Sequence, residues 1–357
     1  RRMIGQSFFE EDLMFRAIFI LLLQFLLLLE AGAQNSQKTL RLGGLFDLSS
    51  GAGVQWGVTE KNSTLLAIDD FEKANPGVNV ELKVEDSAYS NEKSVTALHK
   101  LASFNGLKQF IGPTWEVFSA VIPICESRKL VCLAPSFNNA TFDNADLKYS
   151  FTLWFDDRGY GSALAEKIDS GPYTRLAVFG TVSAYYDALV DGMLAGLGNK
   201  PDFVQRVEPT ERDFRSLIAK VPQGVDAVAV FLLGDGQAQS FWKQWAELRK
   251  ERPDFFSDDG GVLYLEPPMD LKRLGYNIYY SVPDFVDGKL ELFEQAYQKK
   301  FGERPSAFSG AVAYDSVRLL LDCMLRFDQE SSAVSNCLAE TKNYLGLSGR
   351  ISFSGLH

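Results

Sequence analysis

The stretch LRLGGLFDLSSGAGVQWGVTEKNSTLLAIDDFEKANPGVNVELKV, residues 40–84, decides the fold. Leu40–Phe46 is apolar at nearly every position, as a strand covered on both faces requires, and it runs into the small-residue turn Ser49-Ser50-Gly51-Ala52-Gly53. Leu65, Leu66, Ile68 and Phe71 then recur at helical spacing until Asn75-Pro76-Gly77 stops them, and Val78–Val84 alternates apolar with polar. A strand, a helix and a second strand in this order form the unit that lays two parallel strands side by side.

The rhythm continues through a helix over 92–104, the short strand Gln109-Phe110-Ile111 before Gly112-Pro113, a helix over 117–127 and a strand over 130–133. It restarts with the strand Arg175–Gly180, a helix over 186–196, the apolar strand Ala227–Leu233 ending at Gly234, a helix over 241–249 and a strand over Gly261–Leu265. The fold class is therefore α/β, with two doubly wound parallel-sheet lobes. A long helix through Leu292 to Phe301, an apolar helix over 312–325 and a final strand over 349–353 follow.

Ile18–Leu29 is an unbroken apolar run apart from Gln24, preceded by Met14-Phe15-Arg16 and followed by Ala31-Gly32-Ala33. A short positive flank, an apolar stretch too short to span a bilayer and a small-residue cleavage site make 1–33 a signal peptide with upstream residues. Met14 is the expected start, since Glu10, Glu11 and Asp12 do not suit a positive flank. With no cysteine beside Gln34 to receive a lipid, the mature chain is expected free in a periplasm, without stable membrane insertion. A net charge of −10 disfavours nucleic acid and anionic membranes as partners.

The cysteines fall into two close pairs, Cys125 with Cys132 and Cys323 with Cys337, and export permits each pair to close a disulfide. Zinc would want a tighter Cys-x2-4-Cys spacing, and the two histidines, His99 and His357, lie far from it. Asn62 and Asn139 head Asn-x-Ser/Thr triplets, acceptors only in a eukaryotic secretory route.

Ligands of open parallel sheets collect beyond the carboxyl ends of the strands. The loops to watch follow Phe46, Ile111, Leu133, Phe179, Leu233 and Leu265. They bring Trp56, Trp115 with Glu116, Ser136 with Asn138, Tyr185 with Tyr186, Asp235 with Gln237, and Glu266. Hydroxyls and amides there suit a carboxylate or amide, aromatics a flat wall, and Asp235 a ligand ammonium. Each residue taken alone also fits a cap, a core or a solvated loop tip; their recurrence at successive strand ends favours a site. No Gly-x-Ser-x-Gly, His-Glu-x-x-His, phosphate loop or dinucleotide fingerprint occurs, and histidine is absent from these loops. Binding without catalysis, cofactor or metal is the economical reading.

Several segments, in order, resemble the type I periplasmic binding proteins, specifically the branched-chain amino acid binding family of ABC importers. These are Leu48–Gly57 leading to Ala67-Ile68-Asp69, Asp86, Ile111-Gly112-Pro113, Ala134-Pro135-Ser136, and Phe151 with Asp157-Arg158-Gly159. Tyr186, Phe293-x3-Tyr297-x3-Phe301-Gly302-x2-Pro305, Tyr314-Asp315 and Leu347–Phe353 complete the match. The resemblance implies two lobes joined by three hinge crossovers: lobe one over 38–153 plus 284–338, and lobe two over 154–283 plus 339–357. It implies an amino acid site on Trp56, Trp115, Glu116, Ser136, Asn138, Tyr186 and Asp235. A monomer that hands a small molecule to an importer's permease follows, with a ligand-sensing domain or an exported amidase as alternatives. Glu116 departs from the family, which commonly has a serine there. Its charge would repel a ligand carboxylate, and an amide, a cation or an aromatic compound then gains weight.

Overall fold

In a computed structural model, which describes residues 38–49, 54–137, 146–263, 265, 268–282, 288–305 and 308–353, the chain builds two parallel sheets of five strands each. The expected signal segment, Asn138, Asn139, Glu266 and the side chain of Glu116 lie outside the described residues. β1 (Lys38–Phe46), β2 (Val78–Asp86), β3 (Gln109–Ile111), β4 (Val131–Ala134) and β5 (Ser150–Thr152) form the first sheet, ordered 2-1-3-4-5. β6 (Leu176–Thr181), β7 (Phe203–Val207), β8 (Ala227–Phe231), β9 (Asp254–Asp258) and β10 (Ile278–Ser281) form the second, ordered 7-6-8-9-10. Counted from its own first strand, the second sheet repeats the order of the first, so one winding is used twice.

Alternation decides which side chains meet which helices. In β4, Val131 and Leu133 face one core while Cys132 and Ala134 face the other. In β8, Val228 and Val230 oppose Ala227, Ala229 and Phe231 in the same way. α1 (Val54–Ala74), α2 (Asn91–His99) and α3 (Phe118–Arg128) interleave with the first sheet. α4 (Asp157–Asp169), α5 (Ala184–Gly196), α6 (Arg215–Lys220) and α7 (Gln237–Leu248) cover the second. The chain then returns: α8 (Lys289–Phe301) packs Phe293 and Tyr297 beside Leu66 of α1. α9 (Ser309–Arg326) and α10 (Ser331–Ala339) lay Val317, Leu320, Met324 and Val334 over β1 and β4. No helix among the described residues is long and apolar enough to cross a membrane.

Both cysteine pairs are closed as expected, Cys125 of α3 to Cys132 of β4 and Cys323 of α9 to Cys337 of α10. Asn62 is buried and donates to the Tyr297 hydroxyl at 3.1 Å, which removes it as a surface glycan acceptor.

Two expectations are corrected. The strand placed at Gly261–Leu265 is instead β9, where Phe255 and Phe256 pair with Val228 and Ala229 and fill opposite cores of the second lobe. Val262 and Leu263 sit in the turn beyond it, with Leu263 exposed. The final strand, expected with lobe two, is β12 (Arg350–Ile351), antiparallel to β11 (Tyr344–Leu345). Both pack on the first lobe, because Phe353 buries edge-on against Phe151 and Asp315 accepts from the backbone N–H groups of Leu347 and Ser348. Among the described residues, 153–156 link β5 of the first sheet to α4 on the second.

Candidate functional site

In a sheet ordered 2-1-3-4-5 the chain leaves the first and third strands toward opposite faces, which opens a crevice at their carboxyl ends. Each lobe has this crevice. Two glycines set the geometry in the first. A Cβ on Gly57 would fall 2.2 Å from the Asp47 carbonyl oxygen, so the start of α1 presses directly on the end of β1 and fixes Trp56 there. Gly112 takes φ of +85°, and a Cβ on it would lie 2.0 Å from the Leu45 carbonyl oxygen. The loop it starts carries Trp115, itself left-handed at φ of +55°, whose N–H donates to Ser136 Oγ at 3.4 Å. The Trp56 and Trp115 rings meet with centroids 3.9 Å apart.

In the second lobe Ser183 caps α5 by accepting from the Tyr186 N–H at 3.3 Å, which sets Tyr185 and Tyr186 in the first helical turn. Trp115 stacks across the cleft on Tyr185, centroids 6.1 Å apart and planes 21° from parallel. Asp258, the last residue of β9, with Asp259 and Gly260 of the turn after it, closes one side. Trp154, in the segment between lobes, closes another and donates Nε1–H to Asp157 at 2.7 Å. Phe308 and Ser309, at the start of α9, complete the wall. The cavity between them is partly open, with a volume of about 30 Å³.

The titratable groups that set the polarity of this wall are two acids, and burial works against their ionisation. Asp258 is 1% exposed and accepts a long hydrogen bond from the Tyr185 hydroxyl at 3.4 Å. Burial raises its pKa, and burial together with the neighbouring Asp258 charge raises that of Asp259. Among the described residues no lysine, arginine or histidine lines the cavity, and none forms a salt bridge with either acid.

Behind Trp56, one helical turn along α1, stands Glu60. It is fully buried and accepts from Ser136 Oγ at 2.5 Å and Thr114 Oγ1 at 2.8 Å. Burial pushes its pKa up to about 7 despite these hydroxyls. Ser309 lies beside the same carboxylate, and its hydroxyl helps to hold the Glu60 pKa down.

Of the residues expected from the sequence, Trp56, Trp115, Tyr185 and Tyr186 come together on one cavity wall. Ser136 does not join them, because its hydroxyl is directed to Glu60. Asp235 also stands off the wall, half-buried and paired with Arg212 at 3.4 Å. Gln237 holds strand ends together: it accepts from Thr181 Oγ1 at 2.6 Å and the Leu233 N–H at 3.0 Å, and donates to the Glu208 carbonyl at 2.8 Å. Glu116, Asn138 and Glu266 have no described side-chain position. Sequence reasoning missed Glu60, Trp154, Asp258, Asp259, Phe308 and Ser309. Asp258-Asp259-Gly260-Gly261 is a turn signal that becomes a strand-end loop once Phe255-Phe256 is read as the strand, and Glu60 falls four residues after Trp56.

A profile described as periplasmic binding protein matches residues 39–356. No match to the chain is found among curated proteins. Among solved structures it is similar to the branched-chain amino acid transporter substrate-binding protein LivJ from Streptococcus pneumoniae in complex with isoleucine. That likeness has a TM-score of 0.76 at 20% identity and covers 90% of this chain and 93% of that one. A solute-binding protein of an ABC transporter from Rhodopseudomonas palustris, in complex with 3,4-dihydroxybenzoic acid, has a TM-score of 0.72 at 17% identity and covers 89% of each chain. Another from R. palustris, in complex with benzoate, has a TM-score of 0.73 at 16% identity, covering 89% of this chain and 90% of that one. At these identities the likeness is one of fold.

Proposed function

The chain belongs to the periplasmic binding protein family, and we propose that it is an exported monomer that captures one small solute in the cleft between its lobes and delivers it to the permease of an ABC importer. It is a binding protein and not an enzyme. The observation that carries the reading is the cavity itself, whose wall comes from strand-end loops of both sheets with Trp115 of one lobe stacked on Tyr185 of the other. A ligand placed there touches both lobes, so its binding energy favours the closed form over the open one. The segment 153–156 carries part of the hinge, and the closed form is the one a permease reads. The apolar run Ile18–Leu29 supplies the export signal and the periplasm is the working compartment.

Mass spectrometry of small molecules released from the purified protein tests this. One compound per chain is expected. Returned to stripped protein, it binds at one site by calorimetry and reduces the radius of gyration by solution scattering. A released compound that binds without compaction, or that the protein converts chemically, defeats the reading.

A further inference from the structure

Resting on the solute-binding reading, we propose that the cleft selects a small organic cation: an amine or quaternary ammonium group on an apolar body, without a carboxylate. The faces of aromatic rings are negative, and a cation held among several of them is attracted most strongly where water is excluded. Here three tryptophans, Trp56, Trp115 and Trp154, with Tyr185 and Tyr186, surround a cavity whose remaining wall includes two carboxylates. Asp258 and Asp259 face that space with no basic side chain to neutralise them. A buried carboxylate pair of this kind is stabilised by an incoming positive charge and opposes a negative one.

The first lobe supports the same conclusion independently. An anionic ligand needs hydrogen-bond donors at the strand ends, and among the described residues the hydroxyls below the tryptophans, those of Thr114 and Ser136, already donate to Glu60. Glu60 thus fills, from within the protein, the role a ligand carboxylate would take. Ser309 Oγ is different. It is 3% exposed and lies on the cavity wall beside Glu60, where its oxygen lone pairs can accept from an ammonium N–H even while its proton points to that carboxylate. The overall charge of −10 raises the local concentration of cations and lowers that of anions.

Calorimetric titration of the full chain with two matched pairs is the test: isoamylamine against leucine, which differs by its carboxylate, and benzylamine against benzoate, which reverses the charge on one ring. Each amine should bind at least about tenfold tighter than its carboxylate partner. Asp258→Asn and Asp259→Asn should each weaken amine binding by about tenfold or more, and leave benzoate binding unchanged or improved. Tighter binding of leucine or benzoate, or unaltered amine affinity in both folded variants, overturns the proposal. If the variants fail to fold, the pairs on the unaltered protein still decide. Carboxylate binding with compaction sinks the cation inference but leaves the solute-binding function standing. Binding of none of the four, with no compound released from the purified protein, defeats both.

Discussion

The first lobe carries both disulfides and is assembled from two distant parts of the chain, whereas the second runs continuously from Asp157 to Ser281 and contains no cysteine. Their sheets have the same strand order, so the difference lies in what holds each together. The second lobe relies on an aromatic interior in which Trp242, Trp245, Phe214, Phe241 and Phe255 meet largely edge to face, while covalent links tie helices of the first to its sheet and to each other. The cleft shows the same division. Glu60 finds Thr114 and Ser136 within its own lobe, but Asp258 and Asp259 lie on the cavity wall. One lobe buries its cleft acid among its own hydroxyls, and the other places two acids on the cavity wall.

The comparison breaks most sharply at Trp242, which is fully buried and donates Nε1–H to the Gly261 carbonyl at 3.2 Å, beside the acid-bearing turn. Trp242→Ala is expected to cost about 3–5 kcal/mol. Hydrogen exchange should show β8 and β9 losing protection while β1 and β4 retain theirs. Removing the Cys323–Cys337 link, with a sequence separation of 14, should cost the first lobe about 3 kcal/mol, and the shorter Cys125–Cys132 loop about 2 kcal/mol. Denaturation with and without reductant checks both, and the second lobe should be indifferent.

Glu60 sharpens the contrast through pH. In the unfolded chain it loses its proton near 4.5, but in the fold it keeps it until about 7. Its contribution is therefore full below pH 4.5 and declines as pH rises through 7, by at most about 1.4 kcal/mol per pH unit. Burial raises the pKa of Asp47 and adds a decline of the same sign. Urea midpoints of Glu60→Gln should fall less between these limits than those of the unaltered chain; equal slopes would remove Glu60 from the account. Across the cleft, Trp115→Ala deletes the stack on Tyr185, worth about 0.5–1.5 kcal/mol, and should expand the ligand-free protein in solution scattering. The smallest effect belongs to Asp235→Asn, which removes a partly exposed ion pair with Arg212 and should shift stability by less than about 1 kcal/mol.

The fold was legible wherever strands were apolar on both faces. Ala227–Phe231 and Leu40–Phe46 could be read directly, because a central parallel strand leaves few positions for polar residues. β9 was not, since Asp254-Phe255-Phe256-Ser257-Asp258 offers two apolar residues between polar ones and the longer run Val262–Leu265 follows it. That one misplacement hid both acids of the cleft. The aromatic half of the site emerged because strand-end loops were searched, yet side-chain direction lies beyond such a search. Ser136 and Asp235 occupy the right loops and turn to Glu60 and Arg212. Trp154 was out of reach for another reason: it belongs to a segment between lobes, where no strand end marks it.

The return of the chain to the first lobe also sets an order in time. Lys38 Nζ donates to the Leu325 carbonyl and Gln329 Nε2 to that of Thr39, contacts 287 and 290 residues apart. β1 stays uncovered on the face that α9 and α10 protect until those two helices have been made. The second lobe, with all its partners between Asp157 and Ser281, has no such wait. Assembly therefore runs from the inserted lobe outward, and the exposed face of β1 is the surface most in need of shelter before the last helices arrive.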